Sequence, residues 1–113
     1  MEDCIFCKII NKEIPANIVY EDDDMLIFKD INPQARLHYL MILKEHFANI
    51  IEMTDEQALL VGRCLKKLST LVDELGLQDG FRLVSNKGKF GCQSVEHFHI
   101  HILGGEQLSE KMS

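Results

Sequence analysis

The 113-residue chain carries 12 basic and 18 acidic side chains, a formal charge of −6, and long-range repulsion therefore argues against a nucleic-acid backbone or an anionic membrane as its main partner. Its length suits one domain, residues 1–113, of a size that hides roughly 65% of its unfolded surface on folding. No basic start followed by an apolar stretch marks a secretory leader, and no window approaches the roughly 20 apolar residues of a membrane span. The expectation is a cytoplasmic protein whose four cysteines are thiols or metal ligands before they are disulfides.

Taken in chain order, Asp3 can cap a short helix from about Cys4 to Asn11, half-buried through Ile5, Phe6, Ile9 and Ile10. Asn17 to Glu21 and Met25 to Asp30 read as a hairpin around Asp22-Asp23-Asp24, a solvated turn that lacks the alternation and glycine of a calcium loop. His38 to Leu43 reads as a third strand. The clearest helix runs from about Asp55 to Leu75, with a core stripe of Ala58, Val61, Leu65, Leu68, Val72 and Leu75. Thr54 and Gln57 fit a capping box at its start, Gly76 fits its left-handed close, and Cys64 lies beside the stripe as a small core residue. Phe81 to Asn86 and His97 to Leu103 complete five strands. Helices and antiparallel-looking strands without a βαβ rhythm predict an α+β fold.

His97-Phe98-His99-Ile100-His101-Ile102-Leu103 alternates polar and apolar residues. A strand would turn three imidazoles to one face, successive rings about 7 Å apart. A solvent-facing strand is a weak explanation, because three of the five histidines fall within five residues. A three-His metal site and nucleophilic catalysis by imidazole on phosphorus both fit the row. The upstream loop Ser85 to Ser94, with two glycines, two lysines, Asn86 and hydroxyls, can surround anionic oxygens and favours phosphate chemistry.

These residues together resemble the histidine triad superfamily, whose signature of three alternating histidines followed by two apolar residues is matched from His97 to Leu103. Cys4-Ile5-Phe6-Cys7-Lys8-Ile9-Ile10, Glu13-Ile14-Pro15-Ala16, Asp30-Ile31, Pro33-Gln34-Ala35, His38 and Gly91 to His101 resemble the Hint-like branch in the same order. The resemblance implies a five-stranded antiparallel sheet, paired in a homodimer into a continuous ten-stranded sheet with the long helix at the interface. It also implies a purine nucleotide-binding hydrolase that cleaves nucleoside 5′-phosphoramidates of the AMP-NH2 or AMP-lysine type.

By the same resemblance His99 is the nucleophile that carries a nucleotidyl group, and His101 with His38 contacts phosphate and relays protons. Ser94 and Asn86 hydrogen-bond the phosphate or leaving group, and Gln93 lines the loop. Asp30 accepts the ribose hydroxyls, and Ile5, Phe6, Ile9, Phe28 and Ile31 enclose the purine. Ordinary core packing is the competing explanation for each apolar residue, and a turn cap is the competing explanation for Asp30.

Cys4 and Cys7 form a C-x-x-C pair, the spacing of a zinc site or a redox dithiol. The βαβ context of the redox motif is missing, and His46 and His97 are the candidates for two further zinc ligands. Triad proteins that keep both cysteines imply a structural Cys₂His₂ zinc, with His97 tying the N-terminal helix to the active-site strand.

A dinucleoside polyphosphate hydrolase, or a nucleotide-binding interaction protein with incidental catalysis, is the alternative function. A nucleotidyltransferase fits less well, since that branch has Gln where His101 stands. Cys92 replaces a glycine common in related loops, and the tail Glu106 to Ser113 lacks the Trp-Pro-Pro segment of many Hint-like proteins.

Overall fold

A computed structural model of the protein describes residues 4–112. Helix α1 (Ile5–Ile10) is followed by strands β1 (Ile18–Glu21), β2 (Met25–Lys29) and β3 (Leu37–Leu43). Helix α2 (Asp55–Ser69) and strands β4 (Phe81–Val84) and β5 (His99–Gly104) complete the fold. The strands form one antiparallel sheet in the order β1-β2-β3-β5-β4. This is the α+β arrangement with the five antiparallel strands expected. Among the described residues no helix is long and apolar enough to cross a membrane.

Alternation along the strands divides the core in two. Met25, Ile27, Met41, Ile100 and Ile102 join Leu60, Cys64 and Leu68 of α2 on one face. Leu26, Phe28, Leu40 and Ile42 meet Phe6 and Ile9 of α1 on the other. The β3–β5 register sets Leu40 opposite His101 and Ile42 opposite His99, so the histidines lie on the α1 face.

Three expectations are corrected. The long helix ends at Ser69, not near Leu75: Ser69 Oγ donates to the Lys66 carbonyl at 2.5 Å and Thr70 Oγ1 to the Lys67 carbonyl at 2.6 Å. Such back-bonding competes with the helical ladder. The chain continues in turns that still bury Leu71 and Leu75 before Gly76, at φ +76°.

The core stripe of α2 is Gln57, Leu60, Cys64 and Leu68, which puts Cys64 at its centre and leaves Ala58 exposed. Both stripes have helical spacing, and the sheet covers the one to which Cys64 belongs; Val61 and Leu65 flank it half-buried. Strand β5 starts at His99, two residues after the expected start, because the Phe98 N–H turns to the Phe47 carbonyl at 2.6 Å.

The capping box of α2 is present as expected. The cap proposed for Asp3 lies outside the described residues, and Cys4 stands at the N-cap with its Sγ accepting from the Cys7 N–H at 3.4 Å.

Candidate active site and metal cluster

His97, His99 and His101 project from β5 and the residues before it toward α1. The rings of His99 and His101 lie 5.1 Å apart between centroids, closer than the spacing of a flat strand because they tilt together at 70°. Phe6 stands edge-on to His99 at 5.0 Å and separates it from Phe28. His97 and His99 are buried, and burial lowers the pKa of both imidazoles, that of His97 to about 4.

Backbone partners assign the protons on these rings. His99 Nδ1 lies 2.7 Å from the His97 carbonyl. A carbonyl only accepts, so Nδ1 carries the hydrogen and Nε2 keeps a free electron pair. At His38 the order is reversed, because the Gln34 N–H donates to its Nδ1 at 3.0 Å and the hydrogen must sit on Nε2. That Nε2–H points at His101 Nδ1 at 2.9 Å, with Asp30 Oδ2 at 3.4 Å. His101 therefore accepts on Nδ1 and offers Nε2–H outward. Burial and the neighbouring rings of His99 and His38 push the His101 pKa down to about 4, which keeps the neutral tautomer at pH 7.

Asp30, His38 and His101 also have the composition and proximity of a metal-binding trio. The Gln34 N–H opposes that use, since a metal on His38 Nε2 would require a hydrogen on Nδ1 facing another hydrogen. The trio is instead a hydrogen-bonded chain that runs from the Gln34 N–H through His38 to His101.

Cys4, Cys7, His46 and His97 converge at the start of α1, their ligand atoms all within 4.8 Å of one another. Cys4 Sγ is 3.4 Å from His97 Nδ1, Cys7 Sγ 3.3 Å from His46 Nδ1, and the two Nδ1 atoms are 3.1 Å apart. Bond lengths of about 2.3 Å to sulfur and 2.0–2.1 Å to nitrogen give tetrahedral edges of roughly 3.3–3.8 Å, so these donors fit a zinc ion. His97 Nε2 donates to the Leu43 carbonyl at 2.8 Å and leaves Nδ1 free to coordinate. Without metal, burial and the adjacent Cys4 thiol push the Cys7 pKa up to about 11.

The loop between β4 and β5 is tightly tied. Asn86 Nδ2 donates to the Gly91 carbonyl at 2.7 Å. Gln93 accepts from the Gly88 N–H at 3.1 Å and donates to the carbonyls of Ala48 and Val95 at 2.7 and 3.1 Å. The Gln93 amide is thus engaged in shaping the loop, while Ser94 is exposed beside it. Gly91 presses on Lys87, whose carbonyl oxygen a Cβ at position 91 would approach to 2.6 Å.

The remaining sequence candidates divide by exposure. Phe6, Ile9 and Phe28 are buried members of the α1-side core, whereas Ile5 is 48% and Ile31 100% exposed. Asp30 Oδ1 accepts from the Asn32 N–H at 2.8 Å, the turn-capping bond that competed with a ribose contact, while Oδ2 faces His38.

Sequence reasoning missed the backbone groups of Gln34 and Leu43, which no side-chain pattern reveals. It also missed a cavity of about 260 Å³ lined by His38, His101, Asn86, Val84, Leu103 and Met112. Its walls come from β3, the end of β4, β5 and the tail.

Residues 3–113 match the family described as scavenger mRNA decapping enzyme C-term binding. The chain is 50% identical over 104 residues to Protein HitA of Neisseria gonorrhoeae, an alignment covering 92% of this chain and 97% of that one. A HIT family hydrolase from Legionella pneumophila has the same fold at a TM-score of 0.92 and 42% identity, covering 98% of this chain and 100% of that chain. A histidine triad protein from Clostridium difficile gives a TM-score of 0.93 at 42% identity, covering 98% of this chain and 97% of that one. On these likenesses, and with its imidazole row set on the α1 face of an antiparallel sheet, the chain belongs to the histidine triad superfamily.

Proposed function

We propose that the protein is a purine nucleotide-binding hydrolase that cleaves nucleoside 5′-phosphoramidates through a nucleotidyl group on His99. The observation that carries this reading is the pairing of tautomers: an Nε2 electron pair on His99 stands beside an Nε2–H on His101. His99 Nε2 bonds to phosphorus while the phosphorus–nitrogen bond breaks with its electron pair. The leaving nitrogen takes a proton relayed from solvent past His101, whose Nε2–H holds the departing group, so that His101 enters and leaves the step neutral. Water then gives its hydroxyl to phosphorus and its proton back to solvent, which frees His99.

Asn86 and Ser94 hold phosphoryl oxygens, and Gln93 acts through the loop that presents them. Asp30 receives the ribose hydroxyls, and Ile5 and Ile31 grip the purine above the floor of Phe6, Ile9 and Phe28. Zinc, held by Cys4, Cys7, His46 and His97, supplies structural cross-linking, since four protein ligands leave no open position for water.

The reading extends to a homodimer. Strand β4 is an unpaired sheet edge with Phe81 and Leu83 39% and 41% exposed, and apolar edges invite pairing with another strand. A second copy joined there gives a ten-stranded sheet. Sedimentation should find a dimer that Leu83→Lys weakens; a monomer at all concentrations overturns this part.

The deciding experiment is mass spectrometry of protein quenched during turnover of adenosine phosphoramidate. A nucleotidyl adduct on His99 is expected. His99→Gly should form none and lose turnover while still binding nucleotide. Unchanged turnover in that variant refutes the reading.

A further inference from the structure

Residues 80–95 contain Arg82, Lys87 and Lys89 and no acidic residue, although the chain as a whole carries −6. Lys87, Lys89 and Phe90 project from the tied loop, and Phe90 is 101% exposed. Among the described residues neither lysine pairs with a carboxylate. An exposed ring beside two unpaired ammonium groups is poorly explained by solvation alone, because the loop is fixed in shape. Asn86 closes it onto Gly91, Cys92 N–H onto the Lys89 carbonyl at 3.2 Å, and Gln93 onto Gly88.

The anchor of this loop is also a wall of the cavity beside His101. Asn86 lines that cavity with Val84, Leu103 and Met112, and Lys87 is the next residue. Lysine at 87 or 89 therefore lies within roughly one Debye length, about 10 Å, of the cavity mouth. The other charged groups of the surrounding elements offset one another: Arg36, Arg82 and Lys111 stand against Glu106, Glu110 and Asp30, whose Oδ2 lies 3.4 Å from Nε2 of the cavity-lining His38. The backbone N–H of Arg36 donates to Glu106 at 2.6 Å and the Arg82 guanidinium to the Ser109 carbonyl at 2.6 Å.

We infer that the Lys87–Phe90 loop selects leaving groups with an apolar stem and an anionic end, in preference to cationic amines of the lysine type. This rests on the hydrolase reading and specifies its substrate. The stem occupies the cavity between Val84, Leu103 and Met112, Phe90 covers its outer part, and the two ammonium groups meet the anion. The bond broken remains phosphorus to nitrogen, so the loop changes selection without adding a chemical step.

The test uses three adenosine 5′-phosphoramidates with one aliphatic stem ending in a carboxylate, an amide or an ammonium group. The full chain should favour the carboxylate over the ammonium substrate by about tenfold in kcat/KM at low salt, as two charges at roughly 10 Å allow. Lys87→Gln with Lys89→Gln should remove that preference, with each rate taken relative to the amide substrate so that any shared effect on the phosphoryl group cancels. High salt should act as the double variant does. Phe90→Ser should weaken all three similarly.

Binding of the same compounds to His99→Gly, followed by calorimetry, separates the two readings. The same order of affinities there, without turnover in the wild-type protein, would sustain loop selection and overturn hydrolysis. Equal affinities and rates for the three compounds, or a preference that survives the double substitution, would overturn loop selection.

Discussion

The N–H of Gln34 donates to Nδ1 of His38 at 3.0 Å, and this bond determines that His38 presents a hydrogen to His101. A substitution should be tolerated in proportion to how well it reproduces that donor. His38→Gln places an amide N–H where the imidazole Nε2–H stood, within reach of Nδ1 of His101, whereas His38→Ala leaves it without a partner. We expect His38→Gln to keep kcat within about tenfold of wild type and His38→Ala to lose a further tenfold or more, with KM less affected, since general acid–base contributions reach about 10²–10⁴. Equal kcat in the two variants would show that the hydrogen on His38 plays no part.

The four-donor cluster makes a separate prediction. Purified protein should contain one zinc per chain by elemental analysis, and Cys4→Ser with Cys7→Ser should contain none. Loss of the ion should lower the melting temperature by at least about 5 °C, because binding to the folded site alone adds to stability. Metal retention should fall with pH as protons compete for sulfur and imidazole. If a chelator stopped turnover at once while the fold persisted, the ion would belong to the chemistry instead.

Much of this architecture was legible because it follows periodicity. Alternation at Phe98, Ile100 and Ile102 identified the face of β5 that packs on α2, and the Thr54–Gln57 pair located the start of that helix. What was illegible depends on backbone groups distant in sequence. The end of α2 lies in the back-bonding of Ser69 and Thr70, and the start of β5 in the Phe47 carbonyl. The grouping of Cys4, Cys7, His46 and His97 was readable from ligand chemistry alone, yet the proton positions on His97, His99 and His38 needed the Leu43 carbonyl, the His97 carbonyl and the Gln34 N–H as hydrogen-bond partners.

The loop offers a paired test of backbone strain. Cys92 sits at φ +60°, a left-handed conformation that costs a residue with a Cβ about 1–2 kcal/mol. Part of that is offset because glycine loses more freedom on folding, so Cys92→Gly should stabilise the protein by up to about 1 kcal/mol. Gly91→Ala should do the opposite, since its Cβ would come within 2.6 Å of the Lys87 carbonyl oxygen, and a loss of about 1–3 kcal/mol is expected. Denaturant titration of both variants checks the pair; destabilisation by Cys92→Gly would mean that the thiol contributes packing absent from this geometry.

Acid should destabilise the fold partly through His101. Its pKa is near 6.5 when unfolded and about 4 when folded, lowered by burial and then by His99 and His38. Below pH 6.5 the unfolded chain binds the proton first, so stability rises with pH across this window. The contribution is complete above 6.5 and is lost progressively as pH falls toward 4. His101→Asn keeps an oxygen to accept from His38 but cannot titrate, so its melting temperature should fall less than that of wild type between pH 7 and 5. The metal cluster is intact in both proteins, and acid release of zinc therefore cancels in the comparison. Parallel melting curves across that range would assign the acid sensitivity to other groups.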